Sequence, residues 1–297
     1  MTSARNPSAQ YYSGSLGAQM VGRSLRAAGW LGPELATALA LRLFFTPLPL
    51  KWQARRQPLP PAWRAEPWPF EGSSITLYRR ADAPTGRPRV LLLHGWGGHA
   101  GQLAAMADGV LALGLEPLLI DGPAHGRSRG WRATLPQFSR VLFAVVARVG
   151  PLHGLVAHSM GALAAAHAVA RGLPVQRLAL LSPSVSPARV LHWFGDSFGL
   201  PAPITERMRA AIERREGAPL AEFETDWLAH RLPQPTLIVH DRDDRTAPFA
   251  AGRALATALR AARLLPTEGL GHRRILADVG VQLAVAEHVA GAPDALG

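Results

Sequence analysis

From residue 73 onward, short apolar runs recur at intervals filled by amphipathic stretches, and this rhythm limits the fold more than any other feature of the chain. Ser74–Arg79, Val90–His94, Pro117–Ile120, Leu152–Ala157, Leu178–Leu181, Leu237–His240 and Arg263–Leu265 read as strands. Gln102–Leu113 and Phe138–Val149 read as helices between them. Strands that alternate with helices predict an α/β fold, a mostly parallel central sheet with helices on both faces. The interval from Leu181 to Leu237 is too long for a plain crossover. Within it Met208, Ala211 and Ile212, then Leu220, Phe223, Trp227 and Leu228, fall at helical spacing. The stretch at about 187–232 is therefore expected to form a small helical cap over the carboxyl ends of the strands, where open α/β sheets bind ligands.

The chain before residue 73 follows other rules. Residues 1 to about 20 are polar and dotted with glycine, and are expected to be poorly ordered. Leu35–Phe45 reads as a helix with Pro33-Glu34 in its first turn. Pro47–Pro69 reads as a proline-rich connector. The expected division is an N-terminal extension over 1–70 and a main domain over 71–297. Leu39, Leu43, Phe44 and Phe45 form an apolar surface that needs a cover: the main domain, an acyl pocket, or a second copy in a homodimer.

The formal net charge is +11, nearly all of it arginine, and Lys51 is the only lysine. There is no long basic run, only pairs such as Arg55-Arg56 and Arg273-Arg274, so the charge reads as a solvated surface and no nucleic-acid partner is expected. The absence of cysteine excludes disulfides and thiolate metal sites and fits a reducing, cytoplasmic compartment. No transmembrane segment is expected. The apolar stretch Leu35–Leu50 is shorter than the roughly 20 residues of a span, contains Arg42, is broken by Pro47 and Pro49, and begins too far from Met1 for a secretory signal.

Ala157-His158-Ser159-Met160-Gly161 joins the run Leu152–Val156 to the helix former Ala162-Leu163-Ala164-Ala165-Ala166. That is a strand, a tight turn and a helix with a serine at the apex, flanked two residues either side by small residues, as a strained nucleophile elbow demands. The Met160 N–H would lie at a helix N-terminus, where negative charge is favoured. After an early strand, His94-Gly95-Trp96-Gly97-Gly98 offers a loop whose backbone can approach an oxyanion, with the Trp96 N–H as the second donor. A carboxylate is sought among Asp241, Asp243 and Asp244, after the strand ending at His240; Asp244 sits deepest in that loop, Asp241 suits a turn cap, and Asp243 suits solvent or an arginine. Gly269-Leu270-Gly271 then aims His272 back at the sheet edge. The order Ser159, Asp244, His272 is the one a serine hydrolase on such a sheet requires.

These blocks, together with Asp121-Gly122-Pro123-Ala124-His125-Gly126-Arg127-Ser128, resemble the serine-hydrolase branch of the α/β-hydrolase superfamily over roughly residues 73–290. The last block is similar to the family's D-x-P-G-x-G-x-S loop, with Ala124 in place of the glycine, and Ala157 replaces the first glycine of the elbow. Phe44-Phe45-Thr46-Pro47 is similar to an element of N-terminal extensions in a little-characterised bacterial hydrolase subgroup.

The resemblance implies two-step acyl transfer on a small-molecule acyl ester. Ser159 would be the nucleophile, His272 the base, Asp244 its orienting acid, and the Trp96 and Met160 N–H groups the oxyanion hole. No metal or organic cofactor is implied. Serine at the elbow disfavours dehalogenase or epoxide hydrolase chemistry, which needs aspartate there. A thioesterase, an acyltransferase or a serine aminopeptidase stays open, the last needing a cap carboxylate among Glu206, Glu213, Glu216, Glu222, Glu224 and Asp226. So does a non-catalytic binding protein on the same fold. Trp96, Trp193, Phe194 and Phe198 are the expected apolar lining of an acyl site.

Overall fold

The computed structural model describes residues 16–47, 59–83 and 86–291. The expectations for residues 1–15 and for 48–58 of the connector lie outside them. Its contacts divide into two units.

The larger unit holds an eight-stranded sheet in the order β1-β2-β4-β3-β5-β6-β7-β8. The strands are β1 (Trp63–Phe70), β2 (Ser73–Arg80), β3 (Arg89–Leu93), β4 (Glu116–Asp121), β5 (Leu152–His158), β6 (Val175–Leu181), β7 (Thr236–Asp241) and β8 (Ala262–Thr267). Only β1 with β2, and β2 with β4, pair antiparallel; β4, β3, β5, β6, β7 and β8 run parallel. Both faces are covered, which is why the central strands read as continuous apolar runs. Val90 and Leu92 enter one core cluster with Leu103, Met106, Val281 and Val285, while Leu91 and Leu93 alternate to the opposite face and are equally buried.

The helices of this unit that matter below are α3 (Ala104–Ala112), α4 (Leu135–Val149), α5 (Met160–Ala170), α8 (Thr225–Ala229), α9 (Phe249–Ala258), α10 (Gly271–Arg274) and α11 (Val279–Ala290). Thr134 caps α4 by accepting the Gln137 N–H, and Asp278 caps α11 by accepting the Val281 N–H.

β1 lies inside the stretch expected to be a connector. Pro67 and Pro69 have no N–H to donate, but they stand two residues apart in the outermost strand, whose outer side pairs with no strand among the described residues.

The smaller unit combines the chain up to Thr46 with Val185–Glu224. It contains α1 (Leu16–Leu31), α2 (Pro33–Phe44), α6 (Pro187–Phe198) and α7 (Ala202–Glu216). The N-terminal helices and the cap segment thus share one core, formed by Leu25, Ala36, Ala40 and Phe45 with Leu191, Phe194, Phe198, Met208 and Ile212. This differs from the expected boundary near residue 70, because β1 joins the sheet while the helices before it join the 185–224 segment. Helix α1 was not expected. Three glycines dilute its pattern, yet Val21, Leu25 and Ala28 keep helical spacing, and Gly22 lets the helix approach the Phe198 carbonyl closely. Among the described residues no helix is long and apolar enough to cross a membrane.

Candidate active site

Ser159 ends β5 and begins α5 with φ 55° and ψ −122°, a region that non-glycine residues rarely enter. The strain is held on three sides. The Ser159 N–H donates to Leu181 O at 2.9 Å, and Ser159 O accepts from Ala162 N at 3.0 Å and Leu163 N at 3.3 Å. The small neighbours have a direct reason: a Cβ on Gly161 would collide with the His94 carbonyl, and Ala157 is fully buried.

His272, in α10 beyond β8, turns its Nε2 to Ser159 Oγ at 2.9 Å and its Nδ1 to Asp244 Oδ2 at 2.7 Å. Asp244 is anchored on its other oxygen, where Oδ1 accepts the N–H groups of Thr246 and Ala247, both at 2.8 Å. Burial alone would raise the Asp244 carboxyl, but hydrogen bonds from His240, His272 and the Ala247 N–H outweigh it and hold the group well below the usual carboxylate range. It is therefore an anion facing the imidazole.

The other two acids of the cluster hold the His272 loop. Asp241 Oδ2 accepts Thr267 Oγ1–H at 2.8 Å and the Leu270 N–H at 3.0 Å, and its Oδ1 accepts the Asp243 N–H at 2.9 Å. Asp243 Oδ2 accepts the Gly269 N–H at 3.0 Å. Gly269 and Gly271 adopt φ of 75° and 65°, so this loop needs its anchors.

The loop after β3 lies against the elbow: a Cβ on Gly95 would stand 2.7 Å from Ser159 Cβ. Among the described residues neither the Trp96 N–H nor the Met160 N–H is donated to a protein acceptor. Two histidines stitch this loop to the one after β4. His94 Nδ1 donates to Gly95 O at 2.7 Å and its Nε2 accepts the Gly122 N–H at 3.0 Å. His125 Nδ1 donates to Pro123 O at 2.8 Å and its Nε2 accepts the Gly97 N–H at 2.9 Å. Burial pushes the His94 imidazole down, in keeping with the neutral ring this bonding needs. The sequence reading missed the role of both rings; the signal available was the His-Gly and Ala-His-Gly context of each. Asp121 fixes the second loop by accepting Tyr78 Oη–H at 2.6 Å, the Ala100 N–H at 2.7 Å and the Arg127 N–H at 2.8 Å. Among the described residues no group of three or more His, Asp or Glu side chains is placed to hold a metal ion.

Residues 85–217 match the family described as serine aminopeptidase, S33. The fold is shared with many solved structures. A putative lipase from Acinetobacter baumannii AYE superposes with a TM-score of 0.57 at 16% identity, over 81% of this chain and 93% of that one. Est1E from Butyrivibrio proteoclasticus, solved with ferulic acid bound, gives 0.59 at 22% identity, over 76% and 97%. A hydrolase from Pseudomonas aeruginosa PA01 gives 0.59 at 17%, over 77% and 99%. The chain has the α/β-hydrolase fold. No curated protein matches it in sequence.

Two features are clearer against the α/β-hydrolase pattern. Ala124 stands where the family's loop carries glycine, and its φ is 61°, so the alanine holds a glycine conformation at the cost of strain. Of the residues expected to line an acyl site, Trp96 is half-buried beside His125, with ring centroids 5.3 Å apart. Phe194 and Phe198 instead belong to the core of the smaller unit. They are 1% and 3% exposed, their rings lie 4.8 Å apart, and Phe194 meets Phe44 edge-on at 5.1 Å. Side chains so enclosed have no face left for a substrate, which corrects the expectation for these two. Trp193 is half-buried on the same helix, α6.

Proposed function

We propose that this α/β-hydrolase cleaves a carboxylic ester or thioester by two-step acyl transfer from Ser159. The observation that carries the reading is the unbroken line Ser159 Oγ, His272 Nε2, His272 Nδ1, Asp244 Oδ2, with contacts of 2.9 and 2.7 Å. Asp244 accepts the Nδ1–H, which leaves the Nε2 lone pair facing the serine hydroxyl. As Ser159 Oγ bonds to the acyl carbon, its proton passes to Nε2 and the carbonyl electrons collect on oxygen. The unengaged N–H groups of Trp96 and Met160 suit that oxyanion; one such donor is worth about 3 kcal/mol. When the tetrahedral centre collapses, the C–O or C–S bond breaks and the leaving group takes the proton from Nε2. Water then enters through the same base and releases the acid and Ser159.

The family matched by residues 85–217 is described as a serine aminopeptidase, and that activity needs a carboxylate for the substrate amine. Glu206 and Glu213 are both bonded to Arg209, each at 2.9 Å, and Glu213 also accepts the Leu220 N–H. These two of the six candidate acids are thus already paired with Arg209, which counts against them as anchors for a substrate amine.

A panel of p-nitrophenyl esters, acyl thioesters and aminoacyl amides, each run with Ser159→Ala as control, tests the assignment. Ester or thioester turnover that disappears in the variant supports it. Turnover of the amides alone would replace it with the peptidase reading.

A further inference from the structure

The residue before the nucleophile has a use that the acyl-transfer line does not include. His158 is 5% exposed, and its Nε2 lies 2.8 Å from the main-chain oxygen of His272, across 114 residues of sequence. A carbonyl accepts only, so His158 Nε2 carries the proton and donates. On its other side the ring faces the loop after β3, where a Cβ on Gly95 would stand 3.3 Å from His158 Nδ1. One buried ring therefore bonds the His272 loop and lies beside the loop after β3.

The need for such a contact follows from the His272 loop itself. Gly269 and Gly271 flank Leu270, and both adopt positive φ, so the backbone leading to His272 is built from the most permissive residues. Asp241 and Asp243 hold it upstream, at Leu270 and Gly269. His158 holds it at His272. We propose that His158 is a positioning residue for acyl transfer, its Nε2–H fixing the main chain of His272 so that the imidazole stays in line between Asp244 and Ser159. The proposal rests on the hydrolase reading given above.

The ring is also suited to its neighbour. The His158 and His272 centroids lie 4.7 Å apart. Burial, and then the charge His272 would carry, push the His158 imidazole down to about 3. It stays neutral when His272 takes the serine proton, so the imidazolium forms beside a polar but uncharged group.

Three variants separate positioning from simple packing. His158→Leu keeps a buried side chain and removes the donor. His158→Gln places an amide N–H where Nε2 stands, and His158→Asn places one too short to reach. Each is compared with the full wild-type chain by the second-order rate of Ser159 labelling with a fluorophosphonate, by kcat and KM on a p-nitrophenyl ester, by the low-field proton resonance of His272 Nδ1–H, and by thermal unfolding. Loss of in-line geometry is expected to slow labelling and kcat by about 100-fold in His158→Leu and His158→Asn, with KM little changed and the low-field resonance broadened or lost. His158→Gln should recover most of the rate and the resonance. If His158→Leu does not fold, the Gln and Asn pair decides. Equal rates in Gln and Asn, or a wild-type rate and resonance in His158→Leu, overturn the proposal. A wild-type chain that does not label at Ser159 counts against the hydrolase reading instead, and the resonance still reports whether His158 holds His272.

Discussion

His94 and His125 each accept a main-chain N–H from the loop that carries the other. His94 takes Gly122 N–H at 3.0 Å and His125 takes Gly97 N–H at 2.9 Å, with the rings 5.1 Å apart. Both bonds require an unprotonated Nε2, because an imidazolium would set N–H against N–H. The pair thus joins the loop bearing Trp96 to the loop anchored by Asp121, and the Gly97 N–H is committed to that joint.

His125→Leu removes one of these two acceptors and keeps the bulk. The loop bearing Trp96 loses a fixed point, and its N–H should miss the developing oxyanion. The expected result is a fall in kcat on an ester of about 100-fold, with KM little changed. Steady-state kinetics on one chromogenic ester suffices, and an unchanged kcat would show that the loop is held without His125.

Gly161→Ala tests the elbow as a steric object. The added methyl meets the His94 carbonyl, which is backbone and tied into the loop after β3. Overpacking of this kind costs about 1–3 kcal/mol. A lower thermal midpoint together with lost activity is expected; a variant as stable as the wild type would mean the two backbones can separate.

Stability should fall on acidification well before the carboxylates titrate. Burial lowers the imidazoles of His94, His99, His158 and His288, in His158 to about 3. In the unfolded chain these rings titrate near 6.5. Between the two values the unfolded state binds more protons than the folded one, so lowering the pH through that window favours unfolding. Asp244 adds to this at lower pH. Its carboxyl is depressed in the fold, so its contribution is present above about pH 4 and is lost as the pH drops toward the folded value. A urea midpoint level above about pH 7 and declining from about 6.5 downward is the expected profile. A midpoint flat from pH 7 to 5 would contradict it.

The smaller unit should not survive loss of its N-terminal helices. Phe194 and Phe198 are covered partly by residues of α1 and α2, among them Leu25, Ala40 and Phe44. A chain starting at Pro47 is expected to be cut by protease within 185–224 and to aggregate. Phe194→Ala in the full chain should cost about 3–5 kcal/mol in the same unit. Protease resistance of the truncated chain would show that this segment folds without them.

The sequence made the sheet legible from β2 to β8 because the central strands carry apolar runs bounded by turn residues, and β2 and β8 keep shorter apolar patterns. It hid β1, since Pro67 and Pro69 count as breakers unless the strand is known to be an edge. It hid α1, where glycines at 17, 22 and 29 mask the spacing of Val21, Leu25 and Ala28. The meeting of Ser159, Asp244 and His272 could be anticipated because each follows a strand-like run in the order the fold requires. Which of three aspartates faces the imidazole could only be argued from depth in the loop. The packing of Phe194 against Phe44 could not be read at all: it joins segments about 150 residues apart whose patterns specify only that each buries one face. The rings of His94, His125 and His158 escaped for a related reason, since their partners are main-chain groups that carry no residue-specific signal.

The most direct test of the central claim is covalent labelling of the intact chain with a fluorophosphonate, the adduct mapped by mass spectrometry. The account predicts one adduct on Ser159, absent in Ser159→Ala and strongly slowed in His272→Ala. A folded protein that takes no adduct at Ser159, or takes one equally fast without His272, contradicts it.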